Sequence, residues 1–175
     1  MRRTVSVIIA MTLLLLLAAC GGEEPTIATT KENDDHSFST TKDLYIKALD
    51  DVWNADPSLT DDINVIGFDL SSTSLTDEEK DNLMAKFSKE HGILVTVSGT
   101  LDELIDQGII SKEDMYWSNG VLLSIDETEM SDFQIVFTAK MWRSGTGAYA
   151  LTDCVSSKNA DGSWSDYLCN SVEMS

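Results

Sequence analysis

The chain has 175 residues, 30 acidic against 12 basic side chains, two histidines and three cysteines, and 42% of its residues are hydrophobic. Its length fits one ordinary domain with a two-layer core. A formal charge of -18 argues against nucleic-acid partners, which demand clustered Lys and Arg, and against electrostatic docking on anionic headgroups.

The N-terminus reads Met1-Arg2-Arg3, followed by an apolar run over residues 5–19 and then Cys20. Arginines ahead of a short apolar stretch make a secretory signal peptide, and the run is short for a spanning helix, which needs about 20 apolar residues. Leu17-Ala18-Ala19-Cys20 resembles the lipobox of bacterial lipoproteins. That resemblance implies a diacylglyceryl group (palmitate-type lipid) on the Cys20 thiol and cleavage just before it. The mature chain would then be extracytoplasmic, lipid-anchored to the cell membrane, or to an outer membrane if the host has one. It would hold 156 residues with 10 basic and 30 acidic side chains, a charge of -20. Residues 20–41 are mostly Gly, Glu, Thr, Ser, Asp and Lys, too polar to bury a core, and read as a flexible tether.

The single domain is expected over residues 42–175. Thr40 and Asp43 cap a helix over residues 41–55 with an apolar stripe of Leu44, Ala48, Leu49, Val52 and Trp53, ended by Asp56-Pro57. Residues 63–70 read as a strand. Thr76-Asp77-Glu78-Glu79 is a capping box for a second helix ending at Gly92, residues 93–97 a second strand, and Thr100-Leu101-Asp102-Glu103 opens a short third helix closing at Gly108.

Antiparallel strands follow. Asn119-Gly120 predicts a hairpin between residues 115–117 and 121–123. Phe133, Ile135, Phe137, Ala139 and Met141 alternate along the next strand, a turn at Ser144-Gly145 leads into residues 147–156, and Asp161-Gly162 turns into residues 164–174. Helices and a strand–helix–strand unit first, with an antiparallel meander last, give an α+β domain with helices on one face of the sheet.

Once Cys20 carries lipid, Cys154 and Cys169 remain as a pair in a compartment that permits oxidation. A two-residue Asp161-Gly162 loop opposes Ala160 to Ser163. Counting outward, Cys154 then faces Cys169 as a hydrogen-bonded pair, while Leu151–Val172 and Val155–Leu168 fall on the other face of the sheet. A disulfide is expected. Two free thiols, or a metal site short of histidines, are the alternatives.

The acidic pairs Asp34-Asp35, Asp50-Asp51 and Asp61-Asp62 match no calcium-loop spacing and read as caps and a solvated surface, so no metal or cofactor is expected. His91 reads as a cap beside Gly92, and His36 lies in the tether. Trp142-Arg143-Ser144-Gly145-Thr146-Gly147 is the local oddity, because backbone amides of a Gly-rich turn and an arginine can cradle an anion. A hairpin turn with an exposed arginine is the simpler account. Trp117, Trp142, Tyr149 and Trp164 are candidates for a sugar-stacking platform or for ordinary packing.

The stretch from Trp142 to Tyr149, with Asp153-Cys154 and Asp161-Gly162-Ser163-Trp164, resembles the tail of small surface lipoproteins from Gram-positive gut bacteria, a resemblance that implies no activity. With no catalytic constellation in view, the expectation is a non-enzymatic surface domain binding a small molecule, glycan or protein around Trp142, Arg143, Ser144, Gly145 and Trp117. The alternative is an extracytoplasmic hydrolase using acidic residues. A solute-binding subunit fits poorly, since 156 residues are few for two lobes.

Overall fold

The computed structural model describes residues 36–175. The expected signal segment, Cys20 and most of the tether lie outside the described residues. No helix among the described residues is long and apolar enough to cross a membrane.

Helix α1 spans Thr41–Ala55 and starts where the Thr40 hydroxyl accepts from the Asp43 amide at 3.1 Å. One face buries Leu44, Tyr45, Ala48, Leu49 and Val52, and Pro57 opens a short 3-10 turn beyond it. Strand β1 (Val65–Asp69) leads to α2 (Asp77–Glu90), whose Thr76–Glu79 capping box satisfies two otherwise unpaired amides. After Gly92, at φ 71, comes β2 (Val95–Ser98), then the six-residue α3 (Leu101–Asp106) with its own Thr100–Glu103 box.

The long strands β3 (Gly120–Met130), β4 (Gln134–Ser144) and β5 (Gly147–Ser157) precede the short β6 (Ser171–Met174). The six strands form one sheet in the order β2-β1-β3-β4-β5-β6. β1 runs parallel to both β2 and β3, and all other pairings are antiparallel. The domain is therefore α+β with a mixed, mostly antiparallel sheet.

Side chains alternate across that sheet. Ile66, Phe68, Leu123, Ile125, Phe137 and Met141 point to the main core with α1 and α2. The opposite face is covered only in part, by Leu104, Ile110 and Trp117 packing on Leu122 and Trp142. Helices thus lie on both faces, correcting the one-face expectation. Residues 101–117 hold too many apolar side chains for a solvated loop, and glycine makes room for them: a Cβ on Gly67 would come within 2.8 Å of the Trp117 ring.

Two hairpin expectations are also corrected. Asn119-Gly120 is not a hairpin turn, because the Asn119 carbonyl accepts from the amides of Asn64 at 2.9 Å and Val65 at 3.2 Å. β1 occupies the edge that residues 115–117 would have filled. Those residues bond instead to the β4–β5 turn, Trp117 donating to the Arg143 carbonyl at 2.9 Å and Gly145 to that of Met115 at 3.0 Å.

The last turn is wider than two residues. The Asn159 amide donates to the Ser163 carbonyl at 2.8 Å, and the Asp161 carboxylate accepts from the Ser163 amide and hydroxyl. Residues 164–170 are not continuous strand and make only isolated bridges at Trp164 and Leu168. Further out, the expected opposition of Leu151 to Val172 and Val155 to Leu168 holds. Asp153, at φ 49, inserts an extra residue against β4. This bulge turns Leu151 toward the main core, on the same side as Cys154 rather than the other face.

Candidate functional site

Cys154 and Cys169 form a disulfide, Cα atoms 3.8 Å apart. Val155 and Leu168 exchange both backbone bonds, at 2.8 and 3.0 Å. The adjacent cysteines are therefore a non-hydrogen-bonded pair, the close-approaching kind, and not the hydrogen-bonded pair expected from a two-residue loop. Cys154 is fully buried against the main core, so the bond staples the last segment to the sheet and offers no accessible thiol.

The residues singled out around the Gly-rich turn are brought together, but not as an open cradle. Trp117 and Trp142 are 2% and 7% exposed, in the second core. Arg143 directs Nη1 at the carbonyls of Leu59 (3.2 Å) and Asp61 (2.8 Å) and Nη2 at that of Ser118 (3.2 Å). These bonds tie three loops into one tip and leave few donors for an outside anion. Ser144 and Gly147 close a two-residue turn through Gly145 and Thr146, both exposed. What the tip offers outward is Tyr116, 42% exposed, with the Arg143 guanidinium 5.8 Å from its ring centroid, beside Met115 at φ 46. Tyr116 escaped notice in the sequence because it sat in an expected strand.

The four aromatic residues do not form a stacking platform. Trp164 is buried, its indole N–H donating to the Thr41 hydroxyl at 3.1 Å, and Tyr149 packs half-buried on the main core.

Depressions on the surface of the described residues include two beside charged side chains. One, of about 360 Å³, lies on the uncovered face of β3–β6 around Asp126, Lys140, Ala150 and Glu173. Its polar lining was hidden in the sequence, since register had to be known before those residues shared a face. The other, of about 280 Å³, lies at the carboxyl ends of β1 and β2 beside Asp69, Asp77, Lys80 and Glu103. Among the described residues, no group of three or more His, Cys, Asp or Glu side chains is arranged to hold a metal ion.

Part-buried polar contacts join α1 to β3 and to the segment before β6. The Tyr45 hydroxyl donates to Glu127 at 2.6 Å, and the same carboxylate oxygen accepts from the Ser74 amide and hydroxyl. Tyr167 donates to Asp51, which also pairs with Lys47. Burial first, then the neighbouring carboxylate, pushes both phenols well above the ordinary tyrosine range. His91 lies between Trp53 and Phe87, Nε2 at 3.0 Å from Asp50.

No family model, curated protein or solved structure matches the chain.

Proposed function

We propose that this chain is a lipid-anchored extracytoplasmic protein. Residues 1–19 direct export, the Cys20 thiol carries the lipid, residues 20–41 are the tether, and residues 42–175 act as a single domain. In that domain the N-terminal helices and strand–helix–strand unit brace the C-terminal antiparallel meander. The observation that carries the reading is the bonded Cys154–Cys169 pair. Such bonds persist in oxidising compartments, and the cysteine left over stands at the end of the lipobox-like Leu17-Ala18-Ala19-Cys20.

The domain acts by binding a ligand or protein partner, with hydrolysis by acidic residues as the second reading. Its contact surface is the tip at Ser144 and Gly145, with Arg143 as its fastener, Tyr116 as its exposed face and Trp142 buried in the second core. Met115 in a left-handed conformation beside it supports this placement, because backbone strain concentrates where function over-determines structure. The hydrolase alternative lacks comparable support. Asp43, Glu79 and Asp161 are held below the ordinary carboxyl range. Burial would raise Asp43, but the Thr40 and Ser39 hydroxyls with Lys86 and Lys42 outweigh it; the Thr76 and Ser163 donors lower Glu79 and Asp161.

Fractionation with lipid labelling tests the anchor. The wild-type chain is expected in the membrane fraction and to take up radiolabelled palmitate, while Cys20→Ser takes up none. Equal labelling of the two, or none in the wild type, would remove the proposal.

A further inference from the structure

The open face of the sheet holds a row of side chains set by strand register. Ser124 pairs with Lys140, Lys140 with Ala150, and Ala150 with Glu173, so the row crosses β3 to β6. Strands lie about 4.8 Å apart, which places the Lys140 and Glu173 backbones roughly 10 Å from each other. Between them stands only Ala150, and on the far side of Lys140 only Ser124. These small residues floor the 360 Å³ depression, and Asp126 lines it one register step along β3. Lys140 is exposed and forms no ion pair among the described residues.

The geometry points to a binding site for a short zwitterionic peptide, whose carboxylate pairs with the Lys140 ammonium and whose ammonium pairs with Glu173 across Ala150. Lys140 and Glu173 stand two strands apart, about the reach of a tripeptide, with Asp126 on the other side of Lys140, and charge-assisted bonds of this kind fix orientation as well as affinity. Other small ligands fit less well. A phosphate dianion meets two carboxylates, a divalent cation meets Lys140, and a sugar finds no aromatic face in the lining. The site goes beyond the anchored-domain reading and stands on the sheet face alone, away from the Tyr116 tip.

Calorimetric titration of the full chain in detergent with trialanine tests it. Saturable one-site binding is expected, with N-acetyl-trialanine amide, which lacks both charges, weaker by about tenfold or more. Lys140→Met and Glu173→Gln should each weaken trialanine by about the same factor while leaving the thermal midpoint in place, since surface changes move stability little. The proposal is overturned by no saturable heat with trialanine, by equal affinity for the capped peptide, or by unchanged affinity in both variants. Saturation by maltose or inorganic phosphate in place of trialanine would overturn it as well. None of these results bears on acylation of Cys20.

Discussion

The guanidinium of Arg143, at the end of β4, donates to the backbone carbonyl of Asp61 at 2.8 Å, tying the segment after α1 to the tip of the sheet. The same group reaches Leu59 and Ser118, so one side chain closes three loops. Arg143→Met should lower stability by about 2–3 kcal/mol, the range for several hydrogen bonds to a charged group whose partners are then rehydrated. Urea denaturation measures the loss, and faster amide exchange of residues 57–62 would locate it. Stability unchanged in Arg143→Met would mean water replaces the fastener at no cost.

The Cys154–Cys169 bond closes a loop with a sequence separation of 15. Cys154→Ala/Cys169→Ala, or reduction of the wild type, should lower the unfolding free energy by about 3 kcal/mol, mostly through the unfolded chain. Comparing urea midpoints with and without reductant gives the figure. The double variant should be insensitive to reductant.

Tyr45 and Tyr167 resist ionisation in the folded state because burial and an adjacent carboxylate favour the neutral phenol. Their folded pKa lies above the unfolded one. The stability they supply is therefore intact below about pH 10 and is lost as pH rises past it, by about 1.4 kcal/mol per pH unit for each phenol. Alkaline unfolding should be cooperative, with the 295 nm absorbance of these two phenols appearing only on unfolding. Tyr45→Phe should remove one proton from the alkaline slope while weakening the fold near neutrality. An unchanged slope would contradict the assignment.

Gly67 lies beneath the Trp117 ring, where a Cβ would meet it at 2.8 Å. Gly67→Ala should cost about 1–3 kcal/mol through overpacking and alter Trp117 fluorescence. Gly162→Ala at φ 88, with open space around it, tests backbone strain separately from packing.

Much of the helix layout was legible because capping chemistry is local: Thr76 with Glu79 and Thr100 with Glu103 fix helix starts within four residues. The β1–β3 pairing was not, since a parallel neighbour leaves no mark near Asn119-Gly120, and local turn preference pointed to a hairpin there. Counting from Asp161-Gly162 placed the cysteines opposite each other, yet missed the wider turn and the Asp153 bulge, which decide which pairs share a face. Arg143 stood out as an unusual residue in an acidic chain, but its carbonyl partners come from loops far away in sequence. Lys140 and Glu173 gave no signal at all, since their relation exists only in the register of β4, β5 and β6.

The intact mass of the protein extracted from membranes tests the central claim most directly. The account predicts a chain beginning at Cys20, heavier by a diacylglyceryl group and lighter by the two hydrogens lost in joining Cys154 to Cys169. An unmodified 175-residue chain with three free thiols would contradict it.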